Sequence, residues 1–248
     1  MRRLLLLVVL LGTIAGYAGA APLCVDGQSL AYYIANYGSQ QSACQIGDKL
    51  FWGFSAAPGP QSWLYGQYHV GAEPDPADIS VQTIPGDGVT NIGIAFTSGG
   101  WSISSGITID QVVSYDVATV SGLPYIKDAS LIVAGDSCAT CTAQASEKLG
   151  TTTSASDIAT LNAALPSPAS SHVDLLTLRT GMAVTNEVLL IGGPQMDDLA
   201  HLSLLENDFS EITPIPEPMT ALPVGAALLL AGRMLRRRIA RIEEGGMK

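Results

Sequence analysis

Apolar and polar residues alternate with a period of two through most of this chain, and Gly, Pro and Asp recur between the alternating runs. A strand points successive side chains to opposite faces, so this period is typical of half-buried strands and excludes a mainly helical fold. Many short strands with turn residues between them favour an all-β sandwich of antiparallel strands. The predicted strands are 79–84, 91–97, 109–120, 129–134, 173–180, 184–191 and 199–205, with a hairpin turn at Thr180 and Gly181.

One or two short helices are predicted beside the strands. The first is indicated by apolar residues at positions i, i+3, i+4 and i+7, which are Leu30, Tyr33, Ile34 and Tyr37. Ser29 precedes this run and has a side chain suited to capping a helix N-terminus. A second short helix is predicted over 157–165.

The N-terminus has the three regions of a secretory signal peptide. Arg2 and Arg3 precede the apolar run 4–11, and the small residues Ala18, Gly19 and Ala20 follow it. This order of basic, apolar and small-residue regions is typical of a cleaved signal, so residues 1–20 are predicted to form a signal peptide with a helical apolar region. The protein is therefore expected to be exported.

The C-terminal segment, 214–248, joins three elements. Pro216, Glu217 and Pro218 form a stiff extended element, because proline fixes its own φ and disfavours α geometry in the residue before it. The uncharged run 219–232 comes next, and an arginine cluster follows that contains Arg233, Arg236, Arg237 and Arg238. The run is shorter than the ~20 residues that span a bilayer as a helix, so a short transmembrane helix with its arginines cytoplasmic is predicted as a transient anchor.

This order of elements resembles the bacterial PEP-CTERM protein-sorting signal. The resemblance implies that an exosortase-type membrane enzyme recognises and processes the Pro-Glu-Pro element. It also implies an inner-membrane intermediate that is passed on to the cell surface or to an exopolysaccharide (biofilm) matrix. The alternative is a plain C-terminal membrane anchor behind a proline linker.

The body, 21–213, is predicted to be a single β-sandwich ectodomain. Over 24–54 and 91–115 it is similar to ectodomains found ahead of PEP-CTERM tails, which implies a β-rich surface or matrix protein; no catalytic residue can be carried over from this resemblance. Between positions 21 and 214 it has nineteen acidic and four basic residues, a formal net charge of −15. Such a surface repels nucleic acid and anionic lipid but is compatible with neutral glycans and divalent cations.

Four cysteines in an exported chain favour two disulfides, because the compartment is oxidising. Cys24 and Cys44 flank the first predicted helix, so a bridge between them would staple it. Cys138 and Cys141 form a CxxC pair. A redox site or half of a zinc site would also fit that pair, but zinc needs further ligands and the chain has no second CxxC, so a local disulfide is predicted.

One set of residues has the pattern of a serine hydrolase. Ser137 ends a Gly-Asp-Ser block, and Asp198 and His201 occupy an Asp-x-x-His block, which together resemble the SGNH (GDSL-type) hydrolases. Ser137 would be the nucleophile, His201 its base and Asp198 the orienting carboxylate. That fold needs alternating helices and strands that this sequence lacks, so the protein is predicted not to be an enzyme, with a secreted hydrolase kept as the alternative.

Two acidic turns suggest a second alternative, a calcium-binding module. Glu73, Asp75 and Asp78 lie in one turn and Asp87 in the next, and their oxygens would suit Ca²⁺. Neither turn has EF-hand spacing, so solvated turn acids and no cofactor are expected. His69 and His172 have no ligand pattern around them, so no metal site is predicted.

An aromatic cluster suggests a third alternative, a glycan-binding module. Aromatic rings on a sheet surface can stack on sugar rings, but at this density they more often fill a core. The cluster consists of Phe51, Trp52, Phe54, Trp63, Tyr65 and Tyr68.

Overall fold

The computed structural model of the protein describes residues 20–60, 69–86, 91–120, 124–151, 158–166, 169–195 and 197–212. The chain divides into two compact units, Met1–Ile212 and Thr213–Lys248. The described residues belong to the first unit and form a β-sandwich of two mostly antiparallel sheets. The predicted signal helix and the sorting segment 214–248 lie outside the described residues.

The first sheet, sheet I, has the strand order β11-β10-β13-β8-β3-β2, and β4 pairs in parallel with one end of β8. Its strands are β2 (Cys44–Ile46), β3 (Lys49–Pro58), β4 (His69–Val70), β8 (Ile107–Thr119), β10 (Thr142–Gly150), β11 (Ala159–Ala164) and β13 (Gly181–Ile191).

The second sheet, sheet II, has the order β1-β5-β6-β14-β9-β12, and β7 pairs with β14. Its strands are β1 (Gln28–Ser29), β5 (Ser80–Ile84), β6 (Ile92–Thr97), β7 (Ser102–Ile103), β9 (Tyr125–Ser137), β12 (Ser170–Arg179) and β14 (Ala200–Ile212).

The predicted all-β sandwich is confirmed, and each of the seven predicted strands overlaps an observed one. The helix predicted over 157–165 is wrong, because that region contains strand β11. Leu161 and Ala163 are both buried and two residues apart, so the strand period governs there and not the helical one. The hairpin predicted at Thr180 and Gly181 is also wrong, because β12 belongs to sheet II and β13 to sheet I.

The first predicted helix is confirmed as α1 (Leu30–Asn36). The Ser29 hydroxyl caps it by accepting the N–H of Tyr32 at 3.2 Å. Leu30 and Tyr33 point into the core, where the Tyr33 ring meets Phe54 of β3 edge to face at 4.9 Å between centroids. The helix therefore packs on β3 through the apolar side chains whose spacing in the sequence predicts it.

A polar network crosses the core. The side-chain amides of Asn186 in β13 and Asn207 in β14 donate to each other at 2.8 and 3.0 Å, and the Tyr115 hydroxyl donates to Asn207 at 3.1 Å. Glu147 of β10 is paired with Asn186 of β13 and is fully buried. Because burial disfavours the carboxylate, it raises the pKa of Glu147 well above its ordinary value. The network fixes the register of one sheet against the other.

A buried ion pair makes a second polar contact between the sheets. The Lys49 ammonium of β3 lies 2.6 Å from the Glu211 carboxylate of β14, and both side chains are almost completely buried. Burial raises the pKa of Glu211 to about 7, although Lys49 acts in the opposite direction. The Lys49 ammonium also lies 3.5 Å from the Asp48 carboxylate, so this lysine balances two acidic groups.

Both predicted disulfides are present, Cys24–Cys44 and Cys138–Cys141. The first encloses helix α1, and backbone hydrogen bonds of Cys24 and Gln45 pair the two segments that it joins. The second lies in the turn that carries the chain from β9 in sheet II to β10 in sheet I. Each bridge is therefore local, and neither links the two halves of the sequence.

The transmembrane helix predicted in the tail lies outside the described residues. Within the described ranges, no helix has the length and apolar character needed to cross a membrane.

Candidate functional site

The structure does not bring together the residues of the alternative hydrolase triad. Ser137 is paired with Ala200 across β9 and β14, whereas His201 is paired with Asp136. Adjacent residues of a strand face opposite sides of a sheet, so Ser137 and His201 point away from each other. His201 is therefore not positioned to act as a base for Ser137.

Asp198 has a structural role in the turn before β14. Its carboxylate accepts the Thr140 hydroxyl at 3.1 Å and the N–H of Gln195 at 3.0 Å. Thr140 lies within the CxxC turn, so these bonds hold that turn against the start of β14. The carboxylate is therefore committed to backbone and hydroxyl donors.

The first acidic turn forms a short 3₁₀ turn over Pro76–Asp78. Asp75 caps it by accepting the N–H of Ala77 at 2.8 Å, and the Ser98 hydroxyl donates to the Asp78 carbonyl at 3.0 Å. Asp87 of the second turn lies outside the described residues. Among the described side chains, these acids do not form a group of three convergent ligand atoms.

The structure divides the aromatic cluster between the core and the outer surface. Phe51 and Phe54 are buried in the core, as expected for most of the cluster. Trp52 alternates with them on β3 and lies on the outer face of sheet I. Trp63, Tyr65 and Tyr68 lie outside the described residues.

A cleft of about 450 Å³ lies on the outer face of sheet I around Trp52. We call it the Trp52 cleft. It combines a half-buried indole ring with one carboxylate, one amide and several hydroxyl groups. Its polar and aromatic lining is Gln40, Trp52, Asp116, Thr119, Thr151 and Thr180.

A bulge in β3 places Trp52 and Asp116 side by side. The two residues are paired across β3 and β8, and the register shifts between Trp52 and Ser55. Gly53 in the bulge has φ +68°, and a Cβ there would lie 2.6 Å from the Asp116 carboxylate. Glycine is therefore required both by the backbone and by the close approach of Asp116. Burial raises the pKa of Asp116 above its ordinary value.

A second cleft of about 370 Å³ lies on the same outer face, between β10, β11 and β13. Glu187 lies in its wall and forms an ion pair with Lys148 at 2.9 Å. Burial and, to a smaller extent, the nearby charge of Glu187 raise the pKa of Asp110 to about 6. Both clefts on the outer face of sheet I therefore contain a carboxylate in their lining.

A third group of side chains lies on the outer face of sheet II. Asp128, His172 and Asp174 each place one ligand-type atom within 4.8 Å of the others. Sequence analysis missed this group because its members come from two strands, β9 and β12, that are distant in the chain. One signal was present, since His172 and Asp174 are two residues apart and so share one face of a strand.

The chain matches no family model and no curated protein.

Proposed function

We propose that this protein is an exported, non-catalytic protein of a bacterial cell surface or exopolysaccharide matrix, sorted through its C-terminal segment. The observation that carries the proposal is the pairing of all four cysteines in two disulfides, with no free cysteine. Such pairing is stable in an oxidising compartment and rare in a reducing cytosol. It agrees with the signal-peptide pattern of residues 1–20.

The composition of the body supports the same destination. Its formal net charge of −15 between positions 21 and 214 repels nucleic acid and anionic lipid, but it leaves neutral polysaccharide as a compatible partner. In the proposed pathway, an exosortase-like enzyme binds the extended Pro216-Glu217-Pro218 element. The apolar run and the arginines then hold the chain in the inner membrane until it is processed.

The test is a Glu217→Ala substitution in the producing bacterium. Glu217 belongs to the second compact unit and not to the unit that contains the sandwich. The variant should therefore fold normally but accumulate in the inner membrane at its unprocessed mass. The wild type should reach the surface or matrix with the segment after Pro218 removed. Cell fractionation and intact-mass measurement distinguish the two states.

Glu243→Ala is the matched control, because it makes the same charge change in the same tail beyond the arginine cluster. Its delivery should equal that of the wild type. Normal surface delivery of Glu217→Ala, or a mature protein that retains Arg236 to Lys248, would contradict the proposed sorting role.

We propose a second, molecular function for the body, which is binding of a neutral glycan in the Trp52 cleft. The observation in its favour is the position of Trp52, whose indole lies on the outer face of the sheet and not in the core. An aromatic face stacks on the apolar face of a sugar ring, while the Asp116 carboxylate and the Gln40 amide can bond its hydroxyls. The cleft volume of about 450 Å³ lies in the range of small-molecule sites.

A further inference from the structure

The outer face of sheet II contains a mixed group of imidazole and carboxylate side chains. His172 pairs with Ser130 across β12 and β9, and Asp174 pairs with Asp128, so all four side chains share one face of the sheet. The ligand-type atoms of Asp128, His172 and Asp174 all lie within 4.8 Å of one another. This convergence follows from strand register and involves no loop.

Neighbouring hydroxyl groups orient two of these three side chains. Ser130 Oγ lies 2.9 Å from His172 Nδ1, and His172 Nε2 points toward Asp174 Oδ1 at 3.6 Å. When Nδ1–H donates to Ser130, Nε2 presents its lone pair to the carboxylates. The Ser210 hydroxyl of β14 donates to Asp128 Oδ1, which holds that carboxylate in place. Metal-binding histidines and carboxylates commonly have such hydrogen-bonded supports.

We propose that Asp128, His172 and Asp174 bind one divalent transition-metal ion of the Zn²⁺ type. An imidazole nitrogen with two carboxylate oxygens suits zinc, whereas Ca²⁺ takes six or more oxygen ligands. Three protein ligands leave a fourth position of a tetrahedral zinc for water. None of its three residues belongs to the sorting segment or lines the Trp52 cleft, so the site goes beyond the proposed function.

The three ligand atoms need to move only slightly closer together to bind a metal ion. Zinc bonds of about 2.0–2.1 Å place neighbouring ligand atoms about 3.3 Å apart in a tetrahedron. The Asp174 side chain is 89% exposed and precedes an irregularity in β12, so it is free to move inward. Asp128 is buried and held by Ser210, which makes it the fixed side of the site.

Lys127 competes with a metal for the same carboxylate. Its ammonium lies 3.4 Å from Asp128 Oδ2 while its side chain remains 42% exposed. A bound cation must displace this ammonium toward solvent. Removing the lysine charge should therefore strengthen metal binding, an effect opposite in sign to the loss of a ligand.

Isothermal titration of the full-length oxidised protein with ZnCl₂ tests the proposal. We expect one saturable site, a weakening of at least about tenfold in His172→Ala, and a weakening of about tenfold in Ser130→Ala, the range typical of lost supporting hydrogen bonds. His201→Ala is the matched control, since His201 is in β14 of the same sheet but outside the group, and it should bind as the wild type does.

Lys127→Met supplies a test that does not depend on deleting a ligand. It should bind Zn²⁺ several-fold more tightly than the wild type, and circular dichroism should show that each variant is folded. The proposal is overturned if the wild type shows no saturable zinc binding, or if His201→Ala weakens binding as much as His172→Ala. Weaker binding in Lys127→Met, or Ca²⁺ binding at the same site as tightly as Zn²⁺, would also overturn it.

Discussion

Opening the Cys24–Cys44 disulfide should destabilise the sandwich about twice as much as opening the CxxC bridge. The two bridges join cysteines that are 20 and 3 residues apart in sequence. A cross-link stabilises mainly by restricting the unfolded chain, and this effect grows with the logarithm of the loop length. The loop-entropy relation gives about 3 kcal/mol for the first bridge and about 1.6 kcal/mol for the second.

The structure supports the larger value for the first bridge. Its loop contains helix α1, whose Leu30 and Tyr33 are fully buried. Without the bridge, this segment has more conformational freedom in the unfolded state, and folding must order it at a larger entropy cost. With about 2–4 °C of Tm per kcal/mol for a domain of this size, the expected losses are about 6–12 °C and about 3–6 °C.

Two double variants isolate the bridges, because each variant is compared with itself in the oxidised and the reduced state. In Cys138→Ala with Cys141→Ala, a reducing agent opens only Cys24–Cys44, and in Cys24→Ala with Cys44→Ala it opens only the CxxC bridge. Guanidinium unfolding of each variant, oxidised and reduced, gives the free energy of each bridge with no atom removed between the two states. Equal losses, or a larger loss for the CxxC bridge, would refute loop length as the origin of the difference.

Trp52→Ala should weaken binding on an array of neutral oligosaccharides about tenfold or more, equivalent to about 1.4 kcal/mol, while Trp52→Phe should retain part of the affinity. Unchanged binding in Trp52→Ala would contradict the glycan site. The free energy of unfolding should fall as pH rises above about 4.5. Burial raises the pKa of Glu147 far above its ordinary value and raises the pKa of Asp208 to about 7. Folding at higher pH therefore requires proton uptake by these carboxylates. Urea unfolding at pH 5 and pH 8 should show this fall in the free energy of unfolding. Glu147→Gln should make the difference between the two pH values smaller, whereas Asp136→Asn, at an exposed position, should leave it unchanged. An unchanged difference in Glu147→Gln would show that Glu147 is not the source of the pH dependence.

Sequence reasoning failed where local composition opposed the strand period. Strand β10, Thr142–Gly150, contains Ala, Gln, Glu and Lys, residues with helical propensity, and was not predicted. It is a strand because β11 and β13 supply hydrogen-bonding partners on both sides. Its Glu147 is buried beside Asn186, a position that no hydropathy pattern would assign to a carboxyl group.

The sequence alone determined the properties that depend on local order. The period-two runs determined the sandwich class, the spacing and cap of α1 determined that helix, and the cysteine spacing predicted both bridges. These features need only neighbours within about 20 residues, so their physical causes are present in the printed chain. The sorting interpretation of the tail has the same local origin and stays a prediction.

Only the tertiary structure decided which side chains meet across strands. It placed Trp52 beside Asp116, separated Ser137 from His201 onto opposite faces, and brought His172 and Asp174 to Asp128. Each of these outcomes depends on strand register, since a shift of one residue moves every side chain to the other face of the sheet. Register is set by the packing of both sheets together, through contacts such as the Asn186–Asn207 pair, and no local pattern in the sequence specifies it.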